Sequence, residues 1–383
     1  MRFKSRGTEG GGIRRVTRNP KVVAAVLALL LISIILFAQV MHGSRETLKV
    51  CAILPLSGSG SAGAIDARDG ILIAVDEINE FGGINGRPIE LIVADCETNA
   101  TLAAEEFRTM EADYRPLFYM TAISSISAAV APLAEEAGAP LIAVVSVDSS
   151  LTNGKEWVFR YYAGTEQEVG VALEFLDQFG VQRLGILASN DSYGISVSGA
   201  LKREFEAVGG EAQIERFATS ETDFALEIQN VSANEAVYCV STLIPLRNVL
   251  VQLNESGYEG LILTTSGAAA PYITSTPEAD GVYLAAPAVY SLANYEAMSF
   301  SGKFEERYGK EASYQAASGY DAIKIVAGLL RDRELSRESL REALTGGFIY
   351  NGCLGNIALP AGDHSMAVDL FKARIDGDEL IYL

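Results

Sequence analysis

Histidine is almost missing from this chain: of 383 residues only His42 and His364 are histidine, one just after an apolar run and the other near the C-terminus. Neither sits where a strand hands over to a helix, so a Ser-His-Asp or Cys-His arrangement has no base to work with. The patterns G-x-S-x-G, H-E-x-x-H and G-x-x-x-x-G-K-S/T are absent as well. Cysteine is scarce and scattered. Cys51, Cys96, Cys239 and Cys353 show no C-x-x-C spacing, which removes a zinc site and a redox pair and leaves small buried hydrophobes as the ordinary reading. No enzymatic activity, metal or cofactor is expected.

Basic charge is short too. Residues 1–47 hold eight Lys or Arg and two Asp or Glu, leaving 22 basic against 47 acidic residues in the remainder, a net of −25. Such a surface is a poor partner for nucleic acid or anionic lipid, and its acidity reads as solubility or adaptation to salt rather than as ligand information. With 49% hydrophobic residues the chain is not disordered, and at this length two cores suit it better than one.

Residues 22–40 (VVAAVLALLLISIILFAQV) carry no charge and follow Arg14, Arg15, Arg18 and Lys21. As a helix they would span about 28 Å, close to a bilayer core. The basic residues before them place a cytoplasmic segment at 1–21 and export everything after His42. The alternative is a cleaved signal sequence; the length of the run and the lack of a small-x-small exit over residues 38–42 favour an uncleaved anchor. No cysteine follows closely enough for a lipid-modified N-terminus. Sequons at Asn99, Asn190, Asn230 and Asn254 suit an exported chain.

Downstream, apolar β-rich runs alternate with amphipathic segments. Strands are expected at 48–54, 89–94, 116–120 and 141–145. Helices fall between them: Ile71, Ala74, Val75 and Ile78 share one face, and 100–110 and 127–137 follow. A second series has a helix near 166–179, strands at 184–189, 212–217, 236–241, 261–265 and 281–286, and helices at 246–253, 295–308, 314–331 and 336–344. This alternation predicts an α/β architecture of two lobes, each a mostly parallel sheet flanked by helices. Ligands bind beyond the carboxyl ends of such strands, so the loops after residues 54, 120, 145, 189, 241 and 265 are the candidates.

The first of these loops, Gly58-Ser59-Gly60-Ser61-Ala62-Gly63, matches G-x-G-x-x-G. A dinucleotide fingerprint wants an acid about 20 residues on, whereas Asp95, which closes the second strand, lies 32 positions after Gly63. The loop, with Ser57 at its start, instead offers N–H groups and hydroxyls at a helix N-terminus. Thr121, Ser124 and Ser125 follow the third strand, Val145 and Ser146 the fourth, and Tyr193 the first strand of the second series. Together they suit an uncharged clasp: hydroxyls and free N–H groups satisfy a carboxylate, and an aromatic ring forms a flat apolar wall. Ser124 also fits a plain helix cap, and Tyr193 an ordinary turn aromatic.

From Leu48 onward the chain resembles type I periplasmic binding proteins of the Leu/Ile/Val-binding branch. The resemblance rests on Leu54-Pro55-Leu56-Ser57-Gly58, Ala74-Val75-Asp76-Glu77-Ile78-Asn79, the stretch from Gly82 to Leu91, and Phe159-Arg160. Later come Gly319-Tyr320-Asp321-Ala322, Phe348-x-Tyr350-Asn351-Gly352, Gly355-Asn356-Ile357 and Gly362-Asp363. It implies three hinge crossings near residues 163, 287 and 357, hence lobe one from 48–163 and 288–357 and lobe two from 164–287 and 358–383. It also implies that Ser124 and the stretch around Ser146 hold a ligand carboxylate and that Tyr193 covers it. Where many members place an acid for the ligand's ammonium this chain has Ser266, and Glu166 is the candidate replacement, with a solvated helix residue as its plain alternative. An amino acid, an amide or another carboxylate fits this pattern. The implied role is capture of a small solute for an ABC-type permease, with an extracytoplasmic sensor as the alternative.

Overall fold

The computed structural model describes residues 28–33 and 46–383, and the chain separates into Met1–Glu46 and Thr47–Leu383. Of the expected anchor at 22–40 only residues 28–33 are described, as an exposed apolar helical stretch; the rest lies outside the described residues. Among the described residues no helix is long and apolar enough to cross a membrane.

Within Thr47–Leu383 a first sheet is built on β1 (Leu48–Leu54), whose apolar residues are buried on both faces, as a covered central strand requires. β2 (Ile89–Asp95) and β3 (Phe118–Ala122) flank it, and β4 (Leu141–Val144) and β5 (Val158–Tyr161) extend it, every pair parallel. Helices α1 (Ser61–Glu80), α2 (Ala100–Asp113) and α3 (Ser124–Ala137) make the crossovers. After α4 (Thr165–Gln178), a second sheet runs through β6 (Arg183–Ser189), β7 (Glu211–Phe217), β8 (Ala236–Val240), β9 (Leu261–Thr264) and β10 (Tyr283–Pro287). Its helices are α5 (Ser192–Ala207), α6 (Ala225–Val231), α7 (Leu243–Glu255) and the short α8 (Pro271–Thr274). The chain then returns to the first lobe with α9 (Tyr295–Tyr308), α10 (Tyr314–Leu329), α11 (Arg337–Thr345) and a hairpin of β11 (Phe348–Gly352) and β12 (Gly355–Leu359). Ion pairs from Lys303 to Glu77 (2.8 Å) and from Arg307 to Asp76 (2.6 Å) fasten α9 to α1. The two-lobed α/β architecture is present.

The third crossing departs from expectation. β13 (Ser365–Met366) pairs with β5, Ser365 opposite Arg160 and Met366 opposite Tyr161, so residues 358–366 stay with the first lobe. Only β14 (Leu370–Asp376) and β15 (Glu379–Tyr382) join the second sheet, antiparallel beside β10. The two residues of β13 are too few to show a period, and the hairpin strands β11 and β12 alternate buried or half-buried residues with exposed ones instead of forming the continuous apolar runs that mark the covered strands.

Two features lock this frame. Arg160 is buried beside the first crossing, and its Nη1 donates to the carbonyls of Ser146 (3.1 Å), Tyr162 (2.9 Å) and Ala163 (2.9 Å). Burial holds its guanidinium down at about 10, below the usual arginine range. The other is the near contact of α1 and α10: a Cβ on Gly70 would lie 1.9 Å from the Ala316 carbonyl oxygen, and one on Gly319 2.2 Å from that of Ala67. Gly70→Ala gains about 1 kcal/mol of helix propensity, yet it drives a methyl into fixed backbone. Overpacking outweighs the gain, and a net loss of about 1–3 kcal/mol is expected in urea unfolding. An unchanged midpoint would show that the helices part freely.

Candidate ligand-binding cleft

A cavity of about 50 Å³ lies between the lobes at the carboxyl ends of both sheets. The first lobe contributes Gly60, Gly63 and Ala64 at the start of α1, Ala122 to Ser125 at the β3–α3 junction, Val145 and Val147 after β4, and Tyr314 and Gln315 at the start of α10. The second contributes Asp191 and Tyr193 at the start of α5, Ser241 to Leu243 before and within α7, and Gly267 after β9.

Five helix starts meet at this cavity, and three of them lack a side-chain cap. α2, α5, α9, α10 and α11 are capped by the side chains of Asn99, Asp191, Asn294, Ser313 and Ser336. By contrast α1, α3 and α7 have no side-chain cap at Gly60, Ile123 and Thr242, all of which line the cavity. Their first-turn N–H groups and the positive ends of their dipoles suit an anionic or acceptor-rich group. Three buried polar atoms on the wall, Ser241 Oγ, Thr242 Oγ1 and Gln315 Oε1, have no hydrogen-bond partner among the described residues. Native interiors seldom leave such atoms unpaired, so the wall is made to meet polar groups of a ligand.

Backbone strain is concentrated in the same place. Ile123 (φ 62°, ψ 149°) and Val145 (φ 53°) are β-branched residues in the left-handed region, and both line the cavity. Each costs about 1–3 kcal/mol, offset by the surrounding fold, and such residues cluster at ligand clamps. The turn at Ile123 starts α3 with Ser124 as its first residue, so Ser124 does not cap its helix. Its Oγ instead accepts from Val147 N (3.1 Å) and Asp148 N (3.4 Å), which leaves the hydroxyl proton for another partner.

Of the residues expected from sequence, Ser124, Ser125, Val145 and Tyr193 lie together on the wall. Ser146 is buried behind Ser124, with 3.4 Å between their oxygens. Ser57 is exposed, its N–H held by Asp95 at 3.1 Å, and is not on the wall. Ser266 is buried one residue before Gly267, off the cavity lining, and donates to Glu168. Glu166 needs correction. It points outward from the first turn of α4 and accepts from Ser149 Oγ at 2.5 Å.

The acid next to the cleft is Glu168, two residues on. Fully buried, it accepts from Ser266 N at 3.0 Å and from Ser266 Oγ, while the Tyr162 hydroxyl donates to Ser266 Oγ at 2.9 Å. Burial pushes its carboxyl up to about 7, opposed only by the two Ser266 bonds. A sequence signal was available: Thr165, Glu168, Val169 and Ala172 share one buried face at i, i+3, i+4 and i+7. Ser241, Thr242, Tyr314 and Gln315 were also missed; the last two lie at the start of α10, a helix that no strand of its own lobe directly precedes.

Two lobes that meet over unpaired hydroxyls and open helix ends form a cleft suited to holding a small polar solute. The chain belongs to the periplasmic binding protein family, whose sequence model matches residues 47–379. It is similar to the Leu/Ile/Val-binding protein homolog 8 of Brucella abortus (strain 2308), 24% identical over 315 residues and 77% of each chain. A chemotactic signal transduction system substrate-binding protein, BasB, of Halobacterium salinarum is 30% identical over 142 residues, so the chain matches only about a third (34%) of that relative's length. Among solved structures the leucine binding protein LivK from Thermotoga maritima MSB8 superposes with a TM-score of 0.81 at 23% identity, covering 88% of this chain and 98% of that one. The family implies an extracytoplasmic location.

Proposed function

We propose that this chain captures a small polar solute, an amino acid or a related amide or carboxylate, by closing its lobes around it, and passes it to an ABC-type importer. The observation that carries this reading is the coincidence of three uncapped helix starts with three unpaired buried polar atoms around one cavity, contributed by both lobes. Lobe closure follows from contacts that exist only when both lobes touch the ligand. Residues 22–40, uncharged and long, would hold the domain at the outer face of the membrane. Sensing is the second reading, favoured by the likeness to a relative named for chemotactic signal transduction.

A thermal-shift screen of the full chain against amino acids, amides and small carboxylates tests the ligand class; saturation at 100 times the dissociation constant adds about 2.7 kcal/mol. With the compound so found, Ser124→Ala is expected to lose about ten- to 150-fold in affinity, the worth of a hydrogen bond to a charged oxygen. Unchanged affinity in this variant would remove Ser124 from the site. Uptake or tactic response in cells lacking the protein separates transport from sensing.

A further inference from the structure

Glu168 is a carboxyl group shut away from water beside the ligand cavity, and among the described residues no cation pairs with it. Its hydrogen-bond partner is Ser266, and the groups around it are neutral phenols: Tyr162 from the first crossing, Tyr193 from α5, Tyr238 from β8 and Tyr314 from α10. The Tyr238 hydroxyl is itself buried without a partner. Tyr193 and Tyr314 form part of the cavity wall, so Glu168 stands one layer behind it. Asp191 is the acid on the wall itself, but its Oδ1 already accepts from Gly194 N (2.9 Å) and Ser189 Oγ (3.0 Å). On β14, Lys372 packs over Phe175 and lies 3.9 Å from Glu174, about 9 Å further along α4. The cation is thus engaged elsewhere.

A buried carboxylate without a counter-charge is relieved either by a proton or by a positive charge brought close. The cleft offers room for that charge and, from the open helix ends of α1 and α3, a complementary place for a carboxylate. We infer, extending the proposed solute capture, that Glu168 selects ligands bearing a protonated amine and loses its own proton as such a ligand arrives, so that capture is coupled to proton release. Glu168 acts here as a positioning charge from behind the tyrosine wall, not as a contact residue. By linkage, whatever favours the ionised carboxylate also tightens the ligand.

Calorimetric titration of the full chain between pH 5.5 and 8.5, in two buffers of different ionisation heat, tests this. The probes are L-alanine, L-valine and L-leucine, each beside the carboxylate lacking its amine: propanoate, 3-methylbutanoate and 4-methylpentanoate. The amines are expected to bind about thirtyfold more tightly at pH 8.5 than at pH 5.5, with close to one proton released per ligand near pH 6. Glu168→Gln should flatten this profile and abolish the release, whereas Asp191→Asn should keep the slope. Should Glu168→Gln fail to fold, the slope and proton count of the unsubstituted protein decide by themselves. A flat profile, a slope that survives Glu168→Gln, or equal binding of the amine-free partners would overturn the inference. If the carboxylates bind without pH dependence and the amines do not, solute capture stands and the role of Glu168 falls; if neither set binds, both fall.

Discussion

Asp321→Ala is expected to destabilise the protein by about 4 kcal/mol or more, the largest single loss among the substitutions considered. The Asp321 carboxylate is fully buried and accepts four hydrogen bonds: from Tyr161 Oη (2.7 Å), Tyr350 Oη (3.1 Å), Cys353 N (3.1 Å) and Leu354 N (3.2 Å). It thereby joins β5, α10 and the β11–β12 hairpin. Alanine would leave four buried donors unsatisfied, each worth about 1–3 kcal/mol before relaxation and entering water reduce the sum. Asp321→Asn keeps one acceptor oxygen but turns a donor toward donors, so an intermediate loss of about 2 kcal/mol is expected. Urea unfolding of both variants, followed by tyrosine fluorescence, measures the order. A loss below 1 kcal/mol for alanine would show that the four donors find other partners.

The second large effect is on the pH dependence of stability without ligand. Glu168 is raised from an ordinary 4.5 to about 7 by burial, so the folded protein holds a proton there that the unfolded chain has already released. Its contribution is fully present below pH 4.5 and is lost as pH rises through about 7. At about 1.4 kcal/mol per tenfold change in proton affinity, the loss is about 3 kcal/mol. Glu168→Gln has no proton to lose. The stability difference between the unsubstituted protein and this variant should therefore shift by about 3 kcal/mol in favour of the variant between pH 4.5 and 8. A constant difference across that range would mean that Glu168 is hydrated when it ionises.

How far the sequence reached is visible in particular residues. The apolar runs that became β1, β3 and β8 were legible because a parallel sheet buries both faces of a strand. Ser124, Ser125, Val145 and Tyr193 line the cavity because strand ends in such sheets open onto the cleft. Glu166 is exposed, as its plain alternative of a solvated helix residue has it, because helical phase turns it outward; three residues from Thr165 the buried stripe passes through Glu168. Tyr314 and Gln315 arrive from a distant part of the chain, and only the docking of α10 on α1 brings them to the wall. The positive φ of Ile123 and Val145 contradicts the local preference of β-branched residues, which is how a functional constraint shows itself in a backbone and why propensity could not foresee it.

Late strand and helix pairing also has a consequence for the order of synthesis. The inner lobe-one partner of α1 is α10, whose Gly319 reaches Ala67, and the outer strand beside β5 begins at Ser365. In the second lobe, β10 is covered on one side only when β14, from Leu370 onward, has been made. A nascent chain that has reached residue 300 therefore has two unfinished cores. Each lobe closes with residues that follow α9, so folding of both waits for α10, β13 and β14, and an exported chain can remain threadable through a translocation channel until those elements arrive.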